Sequence, residues 1–202
     1  MAGARWNLTQ VLLADKRADA AEAVAMSAVA DVRADLRVEN SDAMAVSGAL
    51  LLIAAVAAVR DGKVWAGRDY LRQVAPLADR IGNRNVCWTA FGPVNVAMYA
   101  VSIEVESGEA VEGLRLAAKV DHERSPSIER RVAFLLEQSK GYLQRREYKE
   151  ALNLLEAAET DAQEDVRFRP AAHALVRSPM ERGRRSEAHE AARLATRIGL
   201  PG

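Results

Sequence analysis

The stretch LLEQSKGYLQRREYKEALNLLEAAE, Leu135 to Glu159, carries the pattern that decides the fold. Apolar and small residues recur in it at helical spacing on both sides of a polar break, Arg145-Arg146-Glu147. With Arg146 as the turn, Ala151 follows five residues later, and Leu155 and Ala158 continue the same helix face at i+4 and i+7. The frame repeats along the chain. Gly62, Gly108 and Gly183 take the turn position, and Gly67, Gly113 and Ala188 each follow by five residues. Leu71, Ala117 and Ala192 come four residues further on, and Val74, Val120 and Ala195 seven. The small residues are spaced by roughly 46, 38 and 37 positions, a length that fits two antiparallel helices with their turns. A small residue belongs there because the second helix crosses the first at that point. A large side chain would hold the pair apart.

Working outward, the helical period recurs throughout, while the two-residue alternation of half-buried strands is scarce. Stops fall at Asp61-Gly62, Ile81-Gly82-Asn83, Ser107-Gly108, Ser125-Pro126 and Arg182-Gly183. This predicts an all-α chain of about nine or ten helices. Alanine, at about a fifth of the 202 residues, favours helix, and with 5% aromatics the core rests on close helix approach. Phe91 to Glu109, FGPVNVAMYAVSIEVESGE, reads as one helix with Gly92 before it and Pro93 at its first position. Ser125 is expected to cap the helix that follows it, with Pro126 at N1 and Glu129 in the first turn. Pro179 predicts a kink or break near Ser178-Pro179.

The helical-hairpin frame resembles the tetratricopeptide repeat, whose unit is about 34 residues. Leu135, Ser139, Tyr142, Ala151, Leu155 and Ala158 match its sites best, and Leu51, Ala55, Ala58, Gly67 and Leu71 match in an earlier unit. Glu104 and Pro179 stand where that motif prefers an aromatic. The expected architecture is a single tetratricopeptide-like α–α superhelix over 1–202, with units near 1–40, 41–82, 83–124, 125–163 and 164–202.

Several function classes are disfavoured. Lys+Arg and Asp+Glu both number 28, so the basic excess of a DNA-binding domain is missing. One cysteine, Cys87, rules out an internal disulfide and a cysteine-based zinc site, and reads as a packed thiol in a reducing cytoplasm. The apolar run ALLLIAAVAAV, Ala49 to Val59, is too short to span a bilayer, and the N-terminal run is too short for a signal peptide. His122, His173 and His189 lack metal-ligand spacing and read as surface histidines, so no metal and no cofactor is expected. Glu104 and Glu106 fall on different helix faces and do not form an acid/base pair. With no phosphate loop, serine elbow or kinase motif, the chain does not read as an enzyme.

The order of segments is more specific than any one motif. YLRQVAPLADRIG, FGPVNVAMYAVSIEVESGEA, RLAAKVDHERSPSIERRVAFLLEQSKGYLQRREYKEAL and AAHALVRSPMERGRRS follow one another. Together they resemble the C-terminal sensor half of actinobacterial transcriptional regulators of the phage-repressor-like (XRE) helix-turn-helix family. The resemblance implies sensing of a ligand or peptide, and dimerisation, by a chain whose DNA-binding half is absent. NLTQVLLADKRADAAEAV resembles the opening of the second helix of a helix-turn-helix, but seven residues before Leu8 leave no room for the motif's first helix. It reads as a first repeat helix.

In a helical-repeat superhelix the first helix of each pair lines the concave face. Anchored on the small residues, the inward positions are Ala49, Leu52 and Val56; Asn95, Met98 and Ser102; Ala133, Leu136 and Lys140; and His173 and Arg177. The candidate groove residues are therefore Asn95, Met98, Ser102, Lys140, His173 and Arg177, running from apolar to polar and basic. Asn95 can pair with a peptide backbone, and Lys140 and Arg177 with a carboxylate or phosphate. Arg130-Arg131 reads as a partner contact or a solvated face. Two functions stay open: a sensor domain for a peptide, small molecule or protein partner, without direct nucleic-acid or membrane binding, and a general repeat scaffold for a protein partner.

Overall fold

The computed structural model describes residues 2–34 and 40–200. The described residues form an all-α protein without strands: α1 (Ala2–Ala14), α2 (Ala18–Ala34), α3 (Ser41–Arg60), α4 (Val64–Ile81), α5 (Pro93–Glu106), α6 (Ala110–Ala117), α7 (Ile128–Gln144), α8 (Tyr148–Asp161), α9 (Gln163–Phe168), α10 (Pro170–Arg182) and α11 (Arg185–Arg197). Single 3₁₀ turns occupy Val86–Trp88 and His122–Arg124. The predicted stops coincide with the ends of α3, α4, α5 and α10. Short α9, between α8 and Pro170, follows no marked stop. Residues 35–39 and 201–202, at the ends of the expected first and last units, lie outside the described residues.

The repeated turn has one backbone geometry. Gly62 and Gly108 take positive φ of 80° and 89°, and Arg146 takes 61° in the same position. The residue after each donates to a carbonyl five positions back: Lys63 to Ala58 at 2.8 Å, Glu109 to Glu104 at 2.8 Å and Glu147 to Tyr142 at 3.0 Å. This is a Schellman turn, which satisfies the last carbonyls of the first helix and sends the chain back along it. Lys16, at φ 59°, makes the same turn, with Arg17 donating to Leu12 at 2.9 Å. Ala21, Ala25 and Ala28 then follow at five, nine and twelve residues, all within 1% of full burial. The frame thus begins one unit earlier than its glycines reveal. Gly183 departs from it: its φ is −71°, and α11 starts instead with the Arg184 backbone N–H donating to Glu187 at 2.6 Å.

The crossing residues are small for the reason expected. A Cβ on Gly67 would come within 2.8 Å of the Ala55 carbonyl oxygen and 2.5 Å of a Val59 methyl. A Cβ on Gly113 would come within 2.7 Å of a Val105 methyl. Ala151 is fully buried, and its carbonyl accepts from the Ser139 hydroxyl at 3.0 Å. We expect Gly67→Ala to destabilise the chain by roughly 1–3 kcal/mol, because besides the Val59 methyl the new Cβ meets the Ala55 carbonyl, which is backbone that must move. Gly113→Ala should cost less, since a valine rotamer can yield. Urea unfolding of both variants checks the order.

Helices α1 and α2, α3 and α4, α5 and α6, α7 and α8, and α10 and α11 pack as consecutive pairs. The first helices also touch one another in series: α1 on α3, α3 on α5, α5 on α7 and α7 on α10. Helix α3 is the centre. From Ala45 to Val59 only Val46 escapes full burial, and the Ala, Gly and Ser positions let neighbours approach on every side. Its 20 residues correct the expectation from Ala49–Val59: α3 is long and apolar enough to cross a membrane. With 78% of that α3 stretch buried inside the protein, its apolarity serves the core.

Two local expectations are corrected. The cap of α7 is Ser127, whose hydroxyl accepts from the Arg130 N–H at 3.3 Å, and the helix begins at Ile128. Ser125 is instead buried just before it. Helix α10 continues through Pro179 to Arg182. Pro179 lies in its last turn and lacks an N–H to donate, while its carbonyl still accepts from the Gly183 N–H at 2.9 Å. Gly92 and Pro93 open α5 as predicted, and Ser107 closes it.

Candidate functional site

The contiguous layer of first helices lines a polar pocket of about 150 Å³. Gln10 and Leu13 enter it from α1, and Ile53, Val56 and Arg60 from α3. Met98, Tyr99 and Ser102 come from α5, Arg130, Ala133, Phe134 and Glu137 from α7, and Arg169 from the turn before α10. Helical spacing places them together: 98 and 102 are four apart, and 130, 133 and 137 lie on one face.

The predicted groove residues divide. Val56, Met98, Ser102 and Ala133 line the pocket. Asn95 is buried at its edge, its Oδ1 accepting from Arg130 Nε at 3.1 Å. Lys140 is tied to Glu106 at 2.7 Å. Leu52 and Leu136 belong to the apolar core. His173 and Arg177 lie apart: His173 Nε2 bonds to the Arg167 carbonyl at 2.7 Å, and Arg177 lines a separate depression with Met180, Glu181 and Leu200. The gradient from apolar to basic along one groove therefore gives way to a compact pocket beneath α5 and α7.

Its electrostatics depend on residues the groove prediction left out. Glu106 bridges the ends of three first helices, accepting from Arg60 at 2.7 Å and pairing with Lys140. Burial pushes the Glu106 carboxyl up, but the Arg60 and Lys140 charges outweigh it and hold the carboxyl below its ordinary range. Glu137 is the opposite case. Burial, reinforced by the Glu106 charge, pushes it up to about 7. Three buried side-chain polar atoms lack a hydrogen-bond partner among the described residues, and only Glu137 Oε2 belongs to this pocket. Arg130 stacks on the Tyr99 ring, 4.2 Å from its centroid. Arg169 is held by Asp165 at 2.7 Å.

Compared with protein-family models, curated proteins and solved structures, the chain matches none of them.

Glu104 holds Arg68 through two contacts, at 2.9 and 2.5 Å, so it and Glu106 serve different partners. His122 stacks obliquely on Phe134 and meets Glu123 at 3.3 Å. No cluster of His, Cys, Asp and Glu able to hold a metal occurs among the described residues. Cys87 is a correction: it is exposed rather than packed, in a turn whose backbone takes positive φ of 50° at Cys87 and 58° at Trp88. What burial the thiol has, and the Asp42 charge, raise its pKa and disfavour the thiolate. Trp88, 91% exposed, stands beside an apolar depression that includes Trp6, Val46 and Leu50.

The missed residues left a readable trace. Glu137 lies between Ala133 and Lys140 on the face already assigned inward, and Arg130 is one turn before Ala133 on that face. Their pairing across helices, Arg60 with Glu106 and Arg130 with Asn95, joins residues 46 and 35 positions apart and has no local signature.

Proposed function

We propose that this chain is a non-enzymatic sensing and protein-interaction domain of a transcriptional regulator of the XRE type, built as a tetratricopeptide-like superhelix. It binds a small molecule or peptide in the cytoplasm, self-associates as a homodimer, and leaves DNA reading to another module. The observation that carries this reading is the pocket that α1, α3, α5 and α7 share, with a buried carboxyl that has no protein partner. Ligand binding at a site built by four helices also stabilises their packing, which suits a sensor. The balanced charge of the chain supports the absence of direct DNA binding.

The test is a thermal-shift screen of metabolites and short peptides, coupled to mass measurement in solution. We expect at least one compound to raise the melting temperature in a dose-dependent way. Sequence-specific binding of duplex DNA by this chain at physiological salt contradicts the reading. The alternative is a repeat scaffold for a protein partner. It is favoured by Trp88 and Trp65, 91% and 77% exposed. Loss of a partner on Trp88→Ala, with every screened compound inert, would select it.

A further inference from the structure

We propose that the pocket takes a small oxyanion, a carboxylate or phosphate group, seated between the Arg130 guanidinium and the Glu137 carboxyl. This rests on the ligand-binding reading above and names the chemistry that the site selects.

Arg60, Arg130 and Arg169 line the pocket, and Lys140 adjoins it through Glu106. Arg60 and Lys140 share the Glu106 carboxylate, and Arg169 has Asp165. Arg130 differs from all three. Its partners are the Asn95 amide oxygen and the Tyr99 ring, and neither cancels its charge. No hydrogen bond joins its two terminal nitrogens to the described residues. A guanidinium fixed through Nε and stacked on a ring presents those nitrogens as a preorganised fork, the geometry that carboxylate and phosphate oxygens match.

Glu137 faces the same pocket. It lies two helical turns beyond Arg130 on the same face, roughly 10 Å along the axis. Its Oε2 is buried without a partner. The groups that face it are Glu106 from α5, Arg60 from α3, and Lys140 and Arg130 from α7. Ionised, Glu137 would repel an incoming oxyanion. Protonated, it becomes a donor, and the orphaned oxygen gains the bond that the protein does not supply. Its titration near pH 7 makes the neutral form available under ordinary conditions. At about 150 Å³ the pocket is smaller than the ~300 Å³ at which drug-sized sites begin, so the anion is a compact one.

The bound state holds Glu137 protonated, and the free state loses that proton as pH rises through about 7. Oxyanion binding is therefore coupled to proton uptake and weakens with rising pH, by about tenfold between pH 6 and pH 8.

The experiment is calorimetric titration of the full chain with lactate and with sulfate, against chloride at matched ionic strength. Both probes stay ionised from pH 6 to 8, and together they distinguish a carboxylate from a tetrahedral, phosphate-like anion. We expect one of them to bind, about tenfold more tightly at pH 6. Arg130→Gln should lose at least tenfold in affinity, and Arg130→Lys, which keeps the charge without the fork, should fall between. Glu137→Gln keeps a neutral donor, so it should still bind, with the ratio between the two pH values collapsing to about one. A merely structural role for Glu137 would not remove the pH dependence while sparing binding. Failure of both probes, or affinity in the wild-type chain that is flat with pH, overturns the proposal. A cationic or neutral compound that binds this pocket would overturn it too, while leaving the sensing function intact.

Discussion

Phe91→Ala is expected to lower the unfolding free energy by roughly 3–5 kcal/mol. Phe91 is fully buried in the core that α3 organises, just before Gly92 and Pro93 open α5. Its ring rests directly on α3 at Gly48: a Cβ there would lie 2.1 Å from the ring's tip. The glycine and the phenylalanine are therefore one packing unit, and the double-mutant cycle should show it. Gly48→Ala alone forces the ring off its seat and should cost roughly 1–3 kcal/mol. In the Phe91→Ala background the obstacle is gone, and alanine's better helix propensity, worth up to about 1 kcal/mol, should make the same change stabilising. Urea unfolding of the four proteins measures this. Additive effects would mean that the ring does not sit on Gly48.

The second large effect is a pH dependence. Glu137 titrates at about 7 in the folded chain instead of near 4.5, because burial and then the Glu106 charge disfavour its ionised form. The folded state therefore holds a proton that the unfolded state releases between those two values. Stability contributed through this group falls as pH rises across that window, by roughly 3 kcal/mol in all, and levels off above pH 7. Glu106 runs the other way. Its carboxyl is held below the ordinary range, so its contribution is present above the unfolded pKa and is lost as pH falls. Glu137→Gln should match the wild-type chain at pH 4 and exceed it by up to roughly 3 kcal/mol at pH 8. Denaturant titrations at both pH values test this, and an equal difference at the two would contradict it.

The fold was legible where backbone rules are local. Gly62 and Gly108 marked Schellman turns because glycine takes positive φ without strain, and Gly67 and Gly113 marked crossings because nothing larger fits. Lys16 and Arg146 occupy the same left-handed position at a steric cost of about 1–2 kcal/mol, and nothing in a lone lysine or arginine advertises that. Arg146 is recoverable from the spacing of its neighbours, whereas the equivalent turn at Lys16 carries no glycine to mark it. The cap of α7 was misplaced by two residues because Ser125 and Ser127 are both good cap formers flanking a proline. The helix face at Met98 and Ser102 was readable from periodicity. The charges that give the pocket its chemistry were not, since Arg60, Glu106 and Glu137 meet only through the packing of α3, α5 and α7.

Under the proposed function, a ligand is recognised at this pocket and at no other surface of the chain. The most direct test is the map of backbone amide chemical-shift changes on saturating the isotope-labelled chain with the tighter-binding of lactate and sulfate. The largest changes are expected on Tyr99, Ser102, Arg130 and Glu137, with Arg177 and Trp88 unmoved. Changes centred on the Trp88 depression or on the Arg177 end, with Arg130 and Glu137 silent, would contradict it.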